Sequence, residues 1–224
     1  MEKPSITTLV LGEGVNTIEA NAFKDCTGIK SVTMPYSLKT IGDYAFWNCS
    51  GIENLELGNN VNSIGVHAFN SCYGITTVTI PRNVRTIGRN AFFDCRGLRK
   101  VYSQIDYPFD IDKTVFMRYD ESADDYVFTN AILTVPKGAK ERYAGKEGWK
   151  EFRRVLEDGQ EPGDVNGDFT VDVADIGSVI DVMAKGNNDP SADVNGDGSV
   201  DVADIATIID EMAARVREQK EIDE

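Results

Sequence analysis

IGDYAFWNCSGIENL, Ile41 to Leu55, returns 23 residues later as IGVHAFNSCYGITTV (64–78) and again as IGRNAFFDCRGLRKV (87–101). A looser copy, IEANAFKDCTGIKSV (18–32), comes first. Cys26, Cys49, Cys72 and Cys95 mark the period, and Ala-Phe, glycine and a closing aliphatic hold their places around each cysteine. A half-unit precedes them, with Ile6, Leu9 and Leu11 at the positions of Ile52, Leu55 and Leu57. Self-similarity at a fixed short period is the signature of a stacked array of coils.

Within one unit, Val32-Thr33-Met34, Leu55-Glu56-Leu57 and Val78-Thr79-Ile80 alternate apolar and polar, so each predicts a short strand with one buried face. Pro35, Gly58 and Pro81 stop those strands. The A-F-x-x-C stretch predicts a short helical turn on the return side. So small a unit cannot bury its apolar face alone, but stacked neighbours can. At about 4.8 Å per parallel strand, five or six coils span roughly 25–30 Å. Ser31, Thr33, Asn54, Glu56, Thr77, Thr79, Lys100 and Tyr102 flank the buried strand positions and form the candidate partner surface.

A 23-residue L-x-x-L-x-L-like unit falls in the leucine-rich-repeat range. The I-G-x-x-A-F-x-x-C-x-G-[I/L] pattern resembles the BspA-like leucine-rich repeats of bacterial surface proteins, over about residues 5–101. The resemblance implies an α/β leucine-rich-repeat solenoid, with one short parallel strand per coil of about 23 residues, and adhesion to host matrix proteins or other cells.

Two fates are open to the cysteines. Neighbouring coils could bring their Cα atoms to about 5 Å, inside the disulfide range. An in-register ladder, however, points its side chains the same way, and cysteine is a favoured buried apolar residue. Reduced, buried thiols are the expectation. Collinear thiols cannot surround a tetrahedral ion. His67, the single histidine, is expected at the surface, and its solitude removes most acid–base, triad and zinc chemistries.

After Val101 the period breaks. Ile111 and Phe116 keep the spacing of Ile64 and Phe69, and Leu133-Thr134-Val135-Pro136 repeats the strand. The extra length falls near 118–130, an acidic loop with Tyr119 and Tyr126; such an insertion serves as a binding surface or is simply solvated. VPKGAKERYAGKEGWKEFRRVLE (135–157) resembles the ending of BspA-like arrays. Tyr143, Trp149, Phe152 and Val155 are suited to covering the last coil, as a solenoid cap must.

A Pro/Gly linker, 158–163, separates this repeat domain (1–157) from a second duplication. Asp164, Asn166, Asp168, Asp172 and Asp175 recur 29 residues on as Asp193, Asn195, Asp197, Asp201 and Asp204. Oxygen side chains thus stand at positions 1, 3, 5, 9 and 12 of each loop, with the carbonyls of Thr170 and Ser199 at position 7. That is the donor set of a loop wrapped around Ca²⁺, which wants six to eight oxygens at about 2.3–2.6 Å. Eight aspartates packed this closely would repel one another without a cation. Ile176, Val179, Ile180 and Met183, repeated as Ile205, Ile208, Ile209 and Met212, predict two amphipathic helices, most simply packed antiparallel.

Residues 163–214 resemble type I dockerins. The resemblance carries calcium ligation onto Asp164, Asn166, Asp168, Thr170 (carbonyl), Asp172 and Asp175, and onto Asp193, Asn195, Asp197, Ser199 (carbonyl), Asp201 and Asp204: two Ca²⁺ in a small all-α domain, 164–214, followed by a charged tail, 215–224. Phe169 stands where the second loop has Gly198, which departs from the pattern at the sharp turn. Dockerins meet cohesins through helix positions that here read Val173-Ala174, Ile180-Asp181 and Lys185, and Val202-Ala203, Ile209-Asp210 and Ala214. These lack the Ser/Thr and Lys/Arg pairs common in cellulosomal dockerins.

The net charge of −14 is concentrated at the C-terminal end: residues 1–162 hold 21 acidic and 19 basic side chains, and residues 163–224 hold 16 and 4. Such a balance disfavours nucleic acid, and no apolar run approaches the ~20 residues of a membrane helix. No pair of carboxylates outside the calcium loops suggests a glycosidase. The expectation is a non-catalytic extracellular or cell-surface binding or adhesion protein whose calcium module serves assembly or stabilisation. The alternative is an accessory subunit of a carbohydrate-degrading complex attached through dockerin–cohesin binding. The N-terminus MEKPSITTLVLG shows no signal peptide, so either the protein is cytoplasmic or the chain is a mature fragment; paired calcium loops favour the millimolar calcium outside cells.

Overall fold

The computed structural model describes residues 6–223, without the side chains of Asn54, Arg215, Val216 and 218–223. The chain divides after Arg153 into two compact units.

Each of the first four coils of the first unit contributes a strand to a long parallel sheet and a two-residue strand to a second one. The coils run β1 (Thr8–Val10) and β2 (Thr17–Ile18), β3 (Ser31–Thr33) and β4 (Thr40–Ile41), then β5 (Asn54–Glu56) and β6 (Ser63–Ile64). They continue with β7 (Thr77–Ile80) and β8 (Thr86–Ile87), and β9 (Lys100–Ser103). The large sheet is ordered β1-β3-β5-β7-β9 and the small one β2-β4-β6-β8. Register follows the sequence period: Leu9 pairs with Val32, and Leu55 with Val78 and then Val101. The sequence reading anticipates one strand per coil; the Thr-Ile/Ser-Ile ladder is an addition. Its isoleucines are buried and paired from Ile18 through Ile87.

The return segment is not the helical turn that its length suggests. Each copy holds two residues in the left-handed region, such as Tyr44 (φ 57°) and Asn48 (φ 57°), then His67 (φ 55°) and Ser71 (φ 59°). Alternate amides point along the stack: the N–H groups of Tyr44, Phe46 and Asn48 donate to the carbonyls of Val66, Ala68 and Asn70 at 2.8–2.9 Å. A helical turn would direct those donors back within its own coil; here they join one coil to the next.

Side chains therefore sit on their own copies. Phe23, Phe46, Phe69, Phe92 and Phe116 form one stack with centroids 5.2–5.5 Å apart. The Cys49, Cys72 and Cys95 thiols donate to the carbonyls of Phe23, Phe46 and Phe69 at 3.0–3.2 Å. All four cysteines are free. The glycine after Ile41, Ile64 and Ile87 is a packing requirement. A Cβ on Gly65 would lie 2.6 Å from the Asp43 nitrogen, and one on Gly88 would lie 2.5 Å from that of Val66. His67 is half-buried rather than at the surface; it stacks on Tyr44 at 4.8 Å and bonds Asn70 and Asn90. Burial and Arg89 lower its pKa.

The 118–130 insertion is an antiparallel hairpin, β10 (Met117–Asp120) and β11 (Asp125–Phe128), rather than a loop. Past it, β12 (Ile132–Val135) rejoins the large sheet beside β9, with Leu133 on Val101 as the repeat requires. A short helix, α1 (Lys140–Ala144), leads into the cap. Tyr143 and Trp149 are buried, and Phe116 meets Trp149 and Phe152 at 5.9 and 5.2 Å, so these rings are core.

Burial pushes the Cys49 and Cys95 thiols from the ordinary 9.0 up to about 12, chiefly by excluding water from the thiolate. The folded state then holds these protons more tightly than the unfolded chain does. Stability is complete below 9.0 and falls as pH rises toward about 12. Native protein at neutral pH should leave Cys49, Cys72 and Cys95 unreactive to a thiol reagent until it unfolds, and its denaturation midpoint should drop in alkali. Rapid labelling of all three in the native state would contradict the burial.

Candidate metal centre and interaction faces

The second unit opens with β13 (Val155–Glu157) and carries α2 (Val173–Ala184) and α3 (Val202–Asp223), so the charged tail extends the last helix to Asp223. Val171, Val179, Ala192, Val194 and Ile208 form a small buried cluster, with Ile176, Met183, Ile205 and Met212 packed against it. Of the matching apolar stripes read from the sequence, Ile176, Val179 and Met183 with Ile205, Ile208 and Met212 thus belong to the core of this unit, whereas Ile180 and Ile209 are exposed.

In front of each helix lies an acidic loop. Asp164, Asp175, Asp193 and Asp204 are buried, while the position 3, 5 and 9 residues are exposed. Buried carboxylates must be hydrogen-bonded or matched by cations. Asp175 Oδ1 accepts the amides of Val165 and Asn166, and its Oδ2 accepts that of Asp172. Asp204 does the same with Val194, Asn195 and Asp201. The position-12 carboxylate therefore folds its loop and, with Asp172, builds the capping box that starts α2. Asp168 accepts the amide and hydroxyl of Thr170, which hold its pKa below the usual carboxylate range.

The first positions differ. Asp164 Oδ1 takes the amides of Gly167 and Asp168. Asp193 Oδ2 takes that of Gly198, while Asp193 Oδ1 is buried with no hydrogen-bond partner. A lone buried carboxylate oxygen is unfavourable unless a cation meets it, and a hard, oxygen-seeking ion fits that need. Among the described residues no three His, Cys, Asp or Glu side chains converge as a cage by themselves; a fitting donor set must include the asparagine and main-chain oxygens of the loop. Phe169 holds φ 69° where Gly198 has 94°, a turn that costs a side-chain-bearing residue about 1–2 kcal/mol.

One residue of this centre is invisible to motif reading. Arg154 is buried, and its guanidinium donates to the carbonyls of Asp193 at 2.6 Å, Val194 at 2.8 Å and Pro162. Burial lowers its pKa, opposed by the charges of Asp193, Glu211 and Asp204. Nothing in its sequence neighbourhood marks it, since its partners lie up to 40 residues away.

The two helices also expose matched apolar residues. Val173 and Val202 are each 70% exposed, and Ile180 and Ile209 each 50%. On the strand face, Ser31, Thr33, Glu56, Lys100 and Tyr102 are exposed, Thr77 and Thr79 half-buried, and the side chain of Asn54 lies outside the described residues. Their register is direct: Thr77 pairs with Lys100, and Glu56 with Thr79, which pairs with Tyr102.

A family model for the BspA type leucine rich repeat region matches residues 1–121 in six copies. The chain belongs to the BspA-type leucine-rich repeat family. Residues 162–213 match the type I dockerin domain, a calcium-binding module that implies a protein partner. Among solved structures, the BspA-type array resembles the pneumococcal vaccine antigen PcpA: TM-score 0.53, 20% identity, over 68% of this chain and 36% of that one. This likeness speaks to the fold. A leucine-rich repeat protein from Bacteroides ovatus aligns with TM-score 0.46 and 27% identity over 58% of this chain and 34% of that one. A leucine rich cell surface protein from Faecalibacterium prausnitzii gives 0.44 and 21% over 68% and 32%. The chain spans about a third of the length of these three structures. No curated protein matches it.

Replacing Arg154 with methionine keeps volume but strips three carbonyls of their donor. The expected loss is about 2–3 kcal/mol in the second unit, read as a lower denaturant midpoint of its helical signal at fixed calcium. An unchanged midpoint would show that Arg154 does not brace the loop.

Proposed function

We propose that this chain is a non-catalytic binding protein of the cell exterior, with a repeat-built recognition surface and a dockerin module stabilised by two calcium ions. The observation that carries the calcium reading is the buried, partnerless Asp193 Oδ1 at the first position of a loop whose backbone is already wrapped. Asp164, Asn166, Asp168, Asp172 and Asp175, with the Thr170 carbonyl, hold the first ion. Asp193, Asn195, Asp197, Asp201 and Asp204, with the Ser199 carbonyl, hold the second. Bound Ca²⁺ supplies the positive charge that lets these carboxylates sit side by side. Asp175 and Asp204 connect that charge to folding, because each also bonds three loop amides next to the first turn of its helix. A core this small leans on such coupling.

Repeat arrays and dockerins are characteristically binding modules, which favours recognition over catalysis. On the strand face, Ser31, Thr33, Asn54, Glu56, Thr77, Thr79, Lys100 and Tyr102 offer mixed polar chemistry suited to a protein partner. Calcium loops of this kind suit the millimolar calcium outside cells.

A second reading, an accessory subunit of a carbohydrate-degrading complex, is favoured by the matched exposed pairs Val173/Val202 and Ile180/Ile209. Exposed aliphatic side chains repeated on two helices suit an apolar docking contact of the cohesin kind.

Calorimetric titration of chelated protein with Ca²⁺ should show two binding events, with Asp164→Ala and Asp193→Ala each removing one. Chelator should melt the helices and spare the strands; one event, or none, would end the two-ion reading. Binding measured against matrix proteins and cohesins should divide the two functions. A cohesin complex lost in Ile180→Asp/Ile209→Asp supports the accessory subunit, and a matrix complex lost in Glu56→Lys/Lys100→Glu supports adhesion. Turnover of a glycan, abolished by one carboxylate outside the loops, would overturn both.

A further inference from the structure

Charge is unevenly dealt along the coils. Residues 57–81 contain no Asp, Glu, Lys or Arg, whereas 82–100 contain Arg82, Arg85, Arg89, Arg96, Arg99 and Lys100 against the single acid Asp94. At the strand-exit rim of this basic coil lies a cavity of about 460 Å³, within the range of small-ligand sites. Arg82, Asn83 and Arg85 form one wall; Ile105, Asp106, Tyr107 and Phe109 form the other.

Both walls are held in place. Arg85 Nη1 donates to the carbonyls of Arg82 at 2.8 Å and Val84 at 3.1 Å, and Asn83 Nδ2 to that of Asn59 at 2.8 Å. The opposite wall is where the 23-residue period fails, and the cap fixes it. The Tyr143 hydroxyl donates to the Ile105 carbonyl at 2.7 Å, and Trp149 Nε1 to that of Phe109 at 2.9 Å. Arg142 Nε donates to the Asp106 carbonyl at 2.7 Å while its guanidinium lies 5.1 Å from the centre of the Tyr107 ring. Tyr107 is nonetheless 81% exposed, the most exposed of the large hydrophobic residues described. Among the described residues neither Arg82 nor Arg85 makes an ion pair, although Arg96 in the same coil makes two.

We propose that this cavity binds a carboxylate-bearing sugar, a uronic-acid residue of an acidic glycan. Guanidinium groups select a carboxylate. An exposed tyrosine ring offers an apolar platform with a polar tip, matching the C–H face of a pyranose. Asp106 decides between ligand classes. Its carboxylate repels a bare polyanion such as a glutamate-rich peptide, but accepts hydrogen bonds from sugar hydroxyls, as does Asn83 Oδ1. A uronic acid alone among these supplies carboxylate, hydroxyls and a flat apolar face in one unit. The proposal rests on the reading of the repeat array as a binding domain and names a ligand for it, at a site apart from the strand-face residues.

The test is calorimetric titration of the full chain, in calcium, with a galacturonate trimer, its neutral galactose counterpart and poly-glutamate. Binding of the galacturonate alone is expected, weakening with salt. Arg82→Ala/Arg85→Ala and, separately, Tyr107→Ser should each weaken it by at least about tenfold, with melting midpoints confirming a folded array and the exposed Lys39→Ala unaffected. Equal or tighter binding of poly-glutamate would reassign the site to acidic peptides and overturn the proposal. So would no galacturonate binding, or binding insensitive to both variants. A negative result with matrix or cohesin binding intact removes this ligand and leaves the binding-protein reading standing.

Discussion

In the repeat array, the main chain of each coil hydrogen-bonds to the next in a pattern that recurs every 23 residues, and that period constrains nearly every other choice. The amide of Phe46 reaches Ala68, and that of Phe69 reaches Ala91. Once the main chains are locked at strand spacing, each side chain stands directly over its own copy. Phenylalanine must then stack on phenylalanine, and a thiol falls beneath the preceding coil's carbonyl. A Cβ on the glycine of a following coil would strike backbone. The uniform, planar Phe stack, with interplanar angles of 3–17°, is what such translation requires. It ends where Trp149 and Phe152 meet Phe116 at tilted and edge-on angles and close the column.

The second unit solves a different problem with the same device of duplication. Its apolar cluster is small, and the loops in front of the helices bury aspartates rather than aliphatics. Each position-12 carboxylate turns three loop amides inward, so the loop's shape is set by an anion, and the remaining negative charge must be answered by cations. Arg154 answers part of it from outside the duplicated segment, on the second loop. The helices keep one aliphatic face for the core and leave Val173, Ile180, Val202 and Ile209 in solvent.

Much of this was legible because repetition converts position into structure. The pairing of Leu55 with Val78 follows from spacing alone, as does the equivalence of Asp164 and Asp193, and that of Leu133 with Val101 follows from the repeated strand pattern of Leu133-Thr134-Val135-Pro136. The return segment was harder. Ala-Phe-x-x-Cys has the length of a helical turn, and although Asn21, Asp25, Asn48, Asn90 and Asp94 are of a type that adopts positive φ, Tyr44 and Ser71 at equivalent positions do not announce it. The half-burial of His67 depends likewise on a neighbour 23 residues away, Asn90, while the hairpin in place of an acidic loop pairs residues 5 to 11 apart.

The sequence by itself determined the period, the strand register, the buried apolar and cysteine ladders and the oxygen positions of both acidic loops, because each is a local pattern repeated in phase. Only the tertiary structure decided where the unrepeated residues went, Arg154 onto the Asp193 and Val194 carbonyls, Tyr107 to the cavity wall opposite Arg82 and Arg142 against Tyr107, and that Asp193 Oδ1 is left unpartnered. Those placements join residues 25 to 40 positions apart with no shared period. Their energies come from desolvation and hydrogen-bond geometry, which exist only once the backbone has brought the groups together.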